Sequence, residues 1–82
     1  MPKIRQQIRR IIAQECGMTQ QTVNPGTPFV DNKDITYWDM VGALYTLQHV
    51  FKVKLPESDY VNYKTVGNLI NCIVTQVKSK QK

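Results

Sequence analysis

Apolar residues recur at helical spacing in three separate stretches of this 82-residue chain, and nowhere do they alternate long enough to make a strand. Ile4, Ile8, Ile11, Ile12 and Cys16 form the first stripe, with Arg and Gln filling the opposite face and Gly17 placed to end the helix, giving a helix over 3–16. Met40, Leu44, Leu47 and Phe51, widened by Val41, form the second, over 37–51. Thr36 is its N-cap, and Asp39 three residues later supplies the reciprocal carboxylate at the positive helix end. Val66, Leu69, Ile70, Ile73 and Val77 form the third, over 66–78, with Thr65 as cap. Each stripe needs the other two to cover it. A chain of this length buries roughly 60% of its unfolded surface as one domain.

Residues 17–36, "GMTQQTVNPGTPFVDNKDIT", make a connection too long for a compact domain unless it carries its own anchors. Met18, Val23, Phe29 and Val30 are spaced to plug the core from outside, while Pro25-Gly26 and Pro28 stiffen the path. After the second helix, "KVKLPESDYVNY" allows one short helical turn near 58–63. The expectation is a small all-α four-helix bundle, three main helices plus the short one, with a long loop between the first two. Ile8, Ile12, Leu44, Leu47, Phe51, Ile70 and Ile73 should be nearly inaccessible. Gly42, in mid-helix, costs about 1 kcal/mol against good helix formers and signals a close helix approach.

The formal net charge of +5 is confined to the ends. Lys3, Arg5, Arg9 and Arg10 face only Glu15, and Lys78, Lys80 and Lys82 face no acid. Between them Lys33, Lys52, Lys54 and Lys64 are outnumbered by Asp31, Asp34, Asp39, Glu57 and Asp59. The opening "MPKIRQQIRR" is basic and acid-free, as mitochondrial presequences are, but the same residues serve as the polar face of the first helix. Nothing approaches the ~20 apolar residues of a membrane span. Cys16 and Cys72 lie in apolar stripes without metal-type spacing and read as free thiols of a cytoplasmic protein, with a disulfide as the alternative. No nucleophile–base pair or Gly-rich phosphate loop is present, and His49 reads as a solvated helix residue. The chain is expected to be neither an enzyme nor a metal protein.

The segments "IRRIIAQECGMTQQTV", "TPFVDN", "FKVKLPESD" and "KTVGNLINCI" together resemble an acyl or peptidyl carrier domain, over almost the whole chain and in the family's order. In that family a Ser in an Asp-Ser-Leu triplet opens the second helix and is esterified with 4′-phosphopantetheine. Laid on this chain without a gap, the triplet falls on Thr36-Tyr37-Trp38, followed by Asp39. Tyr37 thus stands in place of the attachment Ser. The only serines, Ser58 and Ser79, lie in no such triplet. The family's second helix is usually acidic; here it holds Asp39 alone.

The resemblance therefore implies a degenerate carrier-like domain without 4′-phosphopantetheine. The leading expectation is a monomeric, non-catalytic interaction module, associated with fatty-acid or polyketide-type synthesis and docking a synthase or another enzyme of the carrier pathway. Tyr37, Trp38, Asp39, Tyr60 and Tyr63 would form the contact surface, because aromatic side chains carry large contact area with few rotatable bonds. Two alternatives are a carrier that still handles acyl groups and a binder of nucleic acid or anionic surfaces through the basic termini. Nucleic acid is disfavoured, since no aromatics interleave with the cations. The carrier fold would also gather Lys3, Arg5, Lys52, Lys54, Lys78 and Lys80 at the pole opposite Tyr37.

Overall fold

The computed structural model describes residues 2–30 and 32–80, and the side chains of all of these except Pro2, Lys3, Glu57, Tyr60 and Lys80. Three α-helices carry the fold: α1 (Pro2–Cys16), α2 (Tyr37–Phe51) and α3 (Val66–Lys80). The expected boundaries hold to within two residues at every end. Among the described residues there is no strand, and the one extended pairing is an isolated bridge between Pro28 and Thr65. The short fourth helix is corrected in kind: Glu57–Asn62 is 3₁₀, broken by a kink at Asp59. A further 3₁₀ turn, Gln20–Thr22, lies in the long loop. Three-residue turns are what short, poorly bonded pieces adopt when they have no long apolar stripe to bury. The sequence suggests a disordered basic tail over 79–82; α3 runs to Lys80 and so takes in its first two positions, while Gln81 and Lys82 lie outside the described residues.

The three stripes meet in one core. Ile8 and Ile12 from α1, Leu44 and Leu47 from α2, and Ile70 and Ile73 from α3 are buried as expected. Phe51 is not: it is only partly buried. It is the last residue of α2, where the chain reverses through Lys52 in the left-handed region (φ 55°), and buried Val53 and Leu55 complete the core there instead. Gln48 and Gln76 fasten that return: Gln48 Oε1 accepts the Leu55 N–H at 3.1 Å, and Gln76 both accepts from Lys54 N at 2.9 Å and donates to Lys54 O at 2.8 Å. The last turn of α3 therefore lies beside the end of α2.

α1 and α2 run antiparallel. Glu15 accepts from the Thr46 hydroxyl at 3.0 Å, and a Cβ on Gly42 would stand 3.0 Å from its other carboxylate oxygen. The close approach signalled by Gly42 is this one, with a side chain of α1 laid over the bare backbone of α2. Gly17 ends α1 with φ +65°, and the Met18 N–H bonds back to Ala13 O at 2.9 Å, the arrangement that satisfies the last carbonyls of a helix.

The long loop is tied at both flanks. On one, the Arg9 guanidinium donates to Val23 O at 2.7 Å and to Gln20 O at 3.2 Å, so one of the basic residues of α1 serves the fold. On the other, Phe29 N donates to Lys64 O, Val66 N to Thr27 O and Gly67 N to Pro25 O, at 2.9, 2.9 and 2.8 Å. The last two satisfy N–H groups that the first turn of a helix leaves without partners. Asn68 N completes that turn through the Thr65 hydroxyl at 3.2 Å, which makes Thr65 the cap expected of it. Between these ties Val23 and Phe29 are fully buried and Met18 and Val30 partly so.

Candidate functional site

The first turn of α2 is built to hold its side chains outward. Thr36 is extended (φ −73°, ψ 163°); its hydroxyl accepts from Asp39 N at 3.1 Å, and the Asp39 carboxylate accepts from Thr36 N at 3.4 Å. Ile35 and Met40, flanking this box at the positions of a hydrophobic staple, are both buried. With the two inward positions taken, Tyr37 and Trp38 fall outside, 53% and 76% exposed. Their rings meet edge to face, centroids 5.2 Å apart and planes at 76°. That geometry suits the aromatic quadrupole and restricts both side chains. Asp39 is half-buried beneath them.

The Thr36 hydroxyl is committed to the cap, so it is no free nucleophile. Cys16, at the end of α1, is no better: burial first, then the nearby Asp39 and Glu15 carboxylates, push its thiol up to about 11. It stays protonated at neutral pH and is inert by the criterion that the thiolate is the reactive form. Both cysteines are free thiols. Among the described residues no group of three His, Cys, Asp or Glu could hold a metal ion, and His49 is exposed on α2.

Of the five residues expected to form the contact surface, the structure brings three together: Tyr37, Trp38 and Asp39. Tyr63 is corrected. It is 1% exposed, and its hydroxyl donates to Pro56 O at 3.3 Å, so it is a core residue with a satisfied polar tip. The turn leading into α3 folds it inward because the Pro28–Thr65 bridge pins the following residues to the loop. The side chain of Tyr60 lies outside the described residues.

Tyr45 was missed by sequence reasoning. It is 70% exposed and follows Trp38 and Val41 at i+7 and i+4, on one face of α2. That spacing was the available signal. Val41, Leu44, Tyr45 and Gln48 line a cleft of about 210 Å³, closed on the far side by Leu55 and Pro56. This is smaller than the ~300 Å³ at which small-molecule sites begin. The exposed face thus runs from an aromatic pair to a shallow notch of mixed polarity.

No protein-family model matches the chain. Curated relatives include the acyl carrier proteins of two strains of Borreliella burgdorferi, ZS7 and B31, each 27% identical over 66 residues, which cover 80% of this chain and 82% of the relative. No described helix is long and apolar enough to cross a membrane. Over most of its length, then, the chain is an all-helical domain similar to acyl carrier proteins.

Proposed function

We propose that this chain is an acyl-carrier-like domain that carries no phosphopantetheine and works as a non-catalytic protein-interaction module in the cytoplasm, serving an enzyme of acyl-chain synthesis. The observation that carries this reading is the exposed Tyr37–Trp38 pair at the turn where the resemblance puts the attachment Ser. A phosphopantetheinyl transferase needs a primary hydroxyl there; the Tyr37 phenol stands several ångströms further from the backbone. In exchange the turn offers a restrained aromatic pair above a half-buried carboxylate, the composition favoured at binding hot spots. Tyr37, Trp38 and Asp39 make the contact, and Tyr45 extends it along α2.

Incubation with coenzyme A and a promiscuous transferase, read by intact-mass spectrometry, is expected to leave the chain unmodified. An adduct on any residue overturns the reading. Tyr37→Ser, if it gains the adduct, fixes the alignment directly. Affinity capture from the native host then compares the wild type with Trp38→Ala. A synthase-type partner lost with Trp38 supports the module, and one captured equally by both does not.

A further inference from the structure

The solvent face of α2 carries both a protrusion and a recess. Trp38, Val41, Tyr45 and Gln48 follow one another at i, i+3, i+7 and i+10, and so share one face of the helix. At its start the Trp38 ring stands out, 76% exposed and braced edge to face by Tyr37. Further along lies the notch of about 210 Å³, between Val41, Leu44, Tyr45 and Gln48 on one side and Leu55 and Pro56 on the other. It is too small for a free ligand but has room for one indole ring. It also offers the acceptor that a buried indole N–H requires. Gln48 Oε1 takes the Leu55 N–H at 3.1 Å, and an amide oxygen has a second lone pair.

A surface that carries both halves of a contact can pair with a copy of itself, because in a two-fold contact residue i meets j and j meets i. A parallel pair of α2 helices would set ring against ring. An antiparallel pair, with its axis beside Val41, sets each Trp38 over the notch of the other copy. Trp38 and Tyr45 are seven residues apart, roughly 10 Å along the helix, so the two contacts flank the axis without colliding. The net charge of +5 does not oppose this, since α2 has no Asp, Glu, Lys or Arg between Asp39 and Lys52. The Glu15 carboxylate reaches the flank of the face that borders α1, bonding Thr46 and lying over Gly42. Trp38 and Tyr45 keep 76% and 70% of their surface in water. Covering both rings in two copies removes on the order of 600 Å², about half the ~1,200 Å² at which stable interfaces begin. That is the size of a weak, reversible contact.

We propose that α2 pairs antiparallel with α2 of a second copy of this chain, the Trp38 of each filling the notch of the other, in a dimer that forms and dissociates with concentration. The monomer expected from the sequence is the dilute form. The dimer occupies the turn proposed above to hold a partner, and so withholds it, but its formation does not rest on that reading.

Sedimentation equilibrium of the full chain from about 10 μM to about 1 mM covers the range of so small a contact. A monomer–dimer equilibrium is expected, with nothing larger because a two-fold contact closes on itself. Trp38 emission should move from red-shifted to blue-shifted over the same range. Trp38→Ala should weaken association more than tenfold. Val41→Lys and Val41→Glu each bring like charges face to face at the axis and should be monomeric alone, yet dimerise when mixed in equal amounts. Thr75→Lys, at an exposed position of α3, makes the same change of charge and should leave the dimer as it is. Far-ultraviolet circular dichroism shows that each variant is folded. The proposal is overturned by a wild type that stays monomeric at the top of the range, which would assign ring and notch to a different partner. It is equally overturned by association that survives Trp38→Ala, or by Val41→Lys and Val41→Glu failing to pair. Partner capture is measured separately, at a dilution where the chain is monomeric, so the failure of either result leaves the other standing.

Discussion

Tyr63 and Trp38 both stand within three residues of a helix start, yet one is 1% exposed and the other 76%. The difference lies in what the neighbouring backbone has already claimed. Around Tyr63 the chain is pinned, by the Pro28–Thr65 bridge and the bonds from Val66 and Gly67 to the loop, and a carbonyl waits for the phenol. Around Trp38 the capping box fixes the turn, and Ile35 and Met40 take the inward places. Aromatic identity does not decide burial here; the distribution of inward positions in the turn does.

The strongest way to test this contrast is to remove an aromatic from the pinned side. Phe29 is fully buried in the loop that carries those bonds. Phe29→Ala should cost about 3–5 kcal/mol, and Leu47→Ala in the centre of α2 about 2–5 kcal/mol. Chemical denaturation measures both. A loss under 1 kcal/mol at Phe29 would mean that the loop does not plug the core.

A second test leaves the aromatics alone and loosens the pin. A Cβ on Gly67 would lie 2.9 Å from Pro25 O, the oxygen that accepts the Gly67 N–H at 2.8 Å. The obstacle is backbone, which cannot swing aside, so Gly67→Ala should cost about 1–3 kcal/mol. Gly42→Ala meets only the flexible end of Glu15 and should cost less, since Ala is also the better helix former. Equal losses at the two glycines would show that the loop moves freely over α3.

The sequence made much of this fold legible because its signals are local. Three stripes of period 3.6, the Thr36 and Thr65 caps and Gly17 each act within a turn or two of where they stand. Phe29 and Val23 were readable as plugs because a loop that long needs them. What stayed hidden depends on contacts distant in the chain. Nothing near Arg9 announces that its guanidinium clamps Val23 and Gln20, and nothing near Tyr63 says that Pro56 O accepts from it. Phe51 matched the stripe, but the reversal at Lys52 left it at an open end. At the candidate site, the turn geometry of Tyr37 and Trp38 followed from the cap, whereas Tyr45 needed the observation that its face of α2 remains uncovered.

A third, smaller effect marks the buried environment of Tyr63 by pH. Burial first, then nearby Cys72 and Asp59, push the Tyr63 phenol up to about 12 from 10.0, and Cys16 rises to about 11 from 9.0. Both groups are favoured neutral in the folded state. Their contribution is complete below about pH 9 and is lost as pH climbs through 11 and 12, because the unfolded chain releases these protons first. Melting temperature should therefore fall from pH 9 upward. Tyr63→Phe should lose about 1 kcal/mol at pH 7 with its hydrogen bond to Pro56, yet flatten the fall between pH 10 and 12. An unchanged slope in that variant would place the phenol in solvent.

The smallest stability effect belongs to Trp38, and its smallness is the point. A side chain 76% exposed at the second position of a capped helix contributes little burial, and surface changes of this kind stay within about 0.5 kcal/mol. Trp38→Ala should leave the melting temperature almost unmoved, while Thr36→Ala, which breaks the cap beneath it, should cost about 1 kcal/mol. As the only Trp of the chain, it reports on itself: emission should be red-shifted and readily quenched by iodide or acrylamide. If partner capture depends on this ring, Trp38→Ala abolishes capture at unchanged stability, and Trp38→Phe, which keeps an aromatic edge against Tyr37, restores part of it. Thr36→Ala should weaken capture too, by freeing the turn that presents the pair. A blue-shifted, quencher-resistant emission with several kcal/mol lost in Trp38→Ala would instead make Trp38 a second Tyr63, and the comparison between the two would collapse.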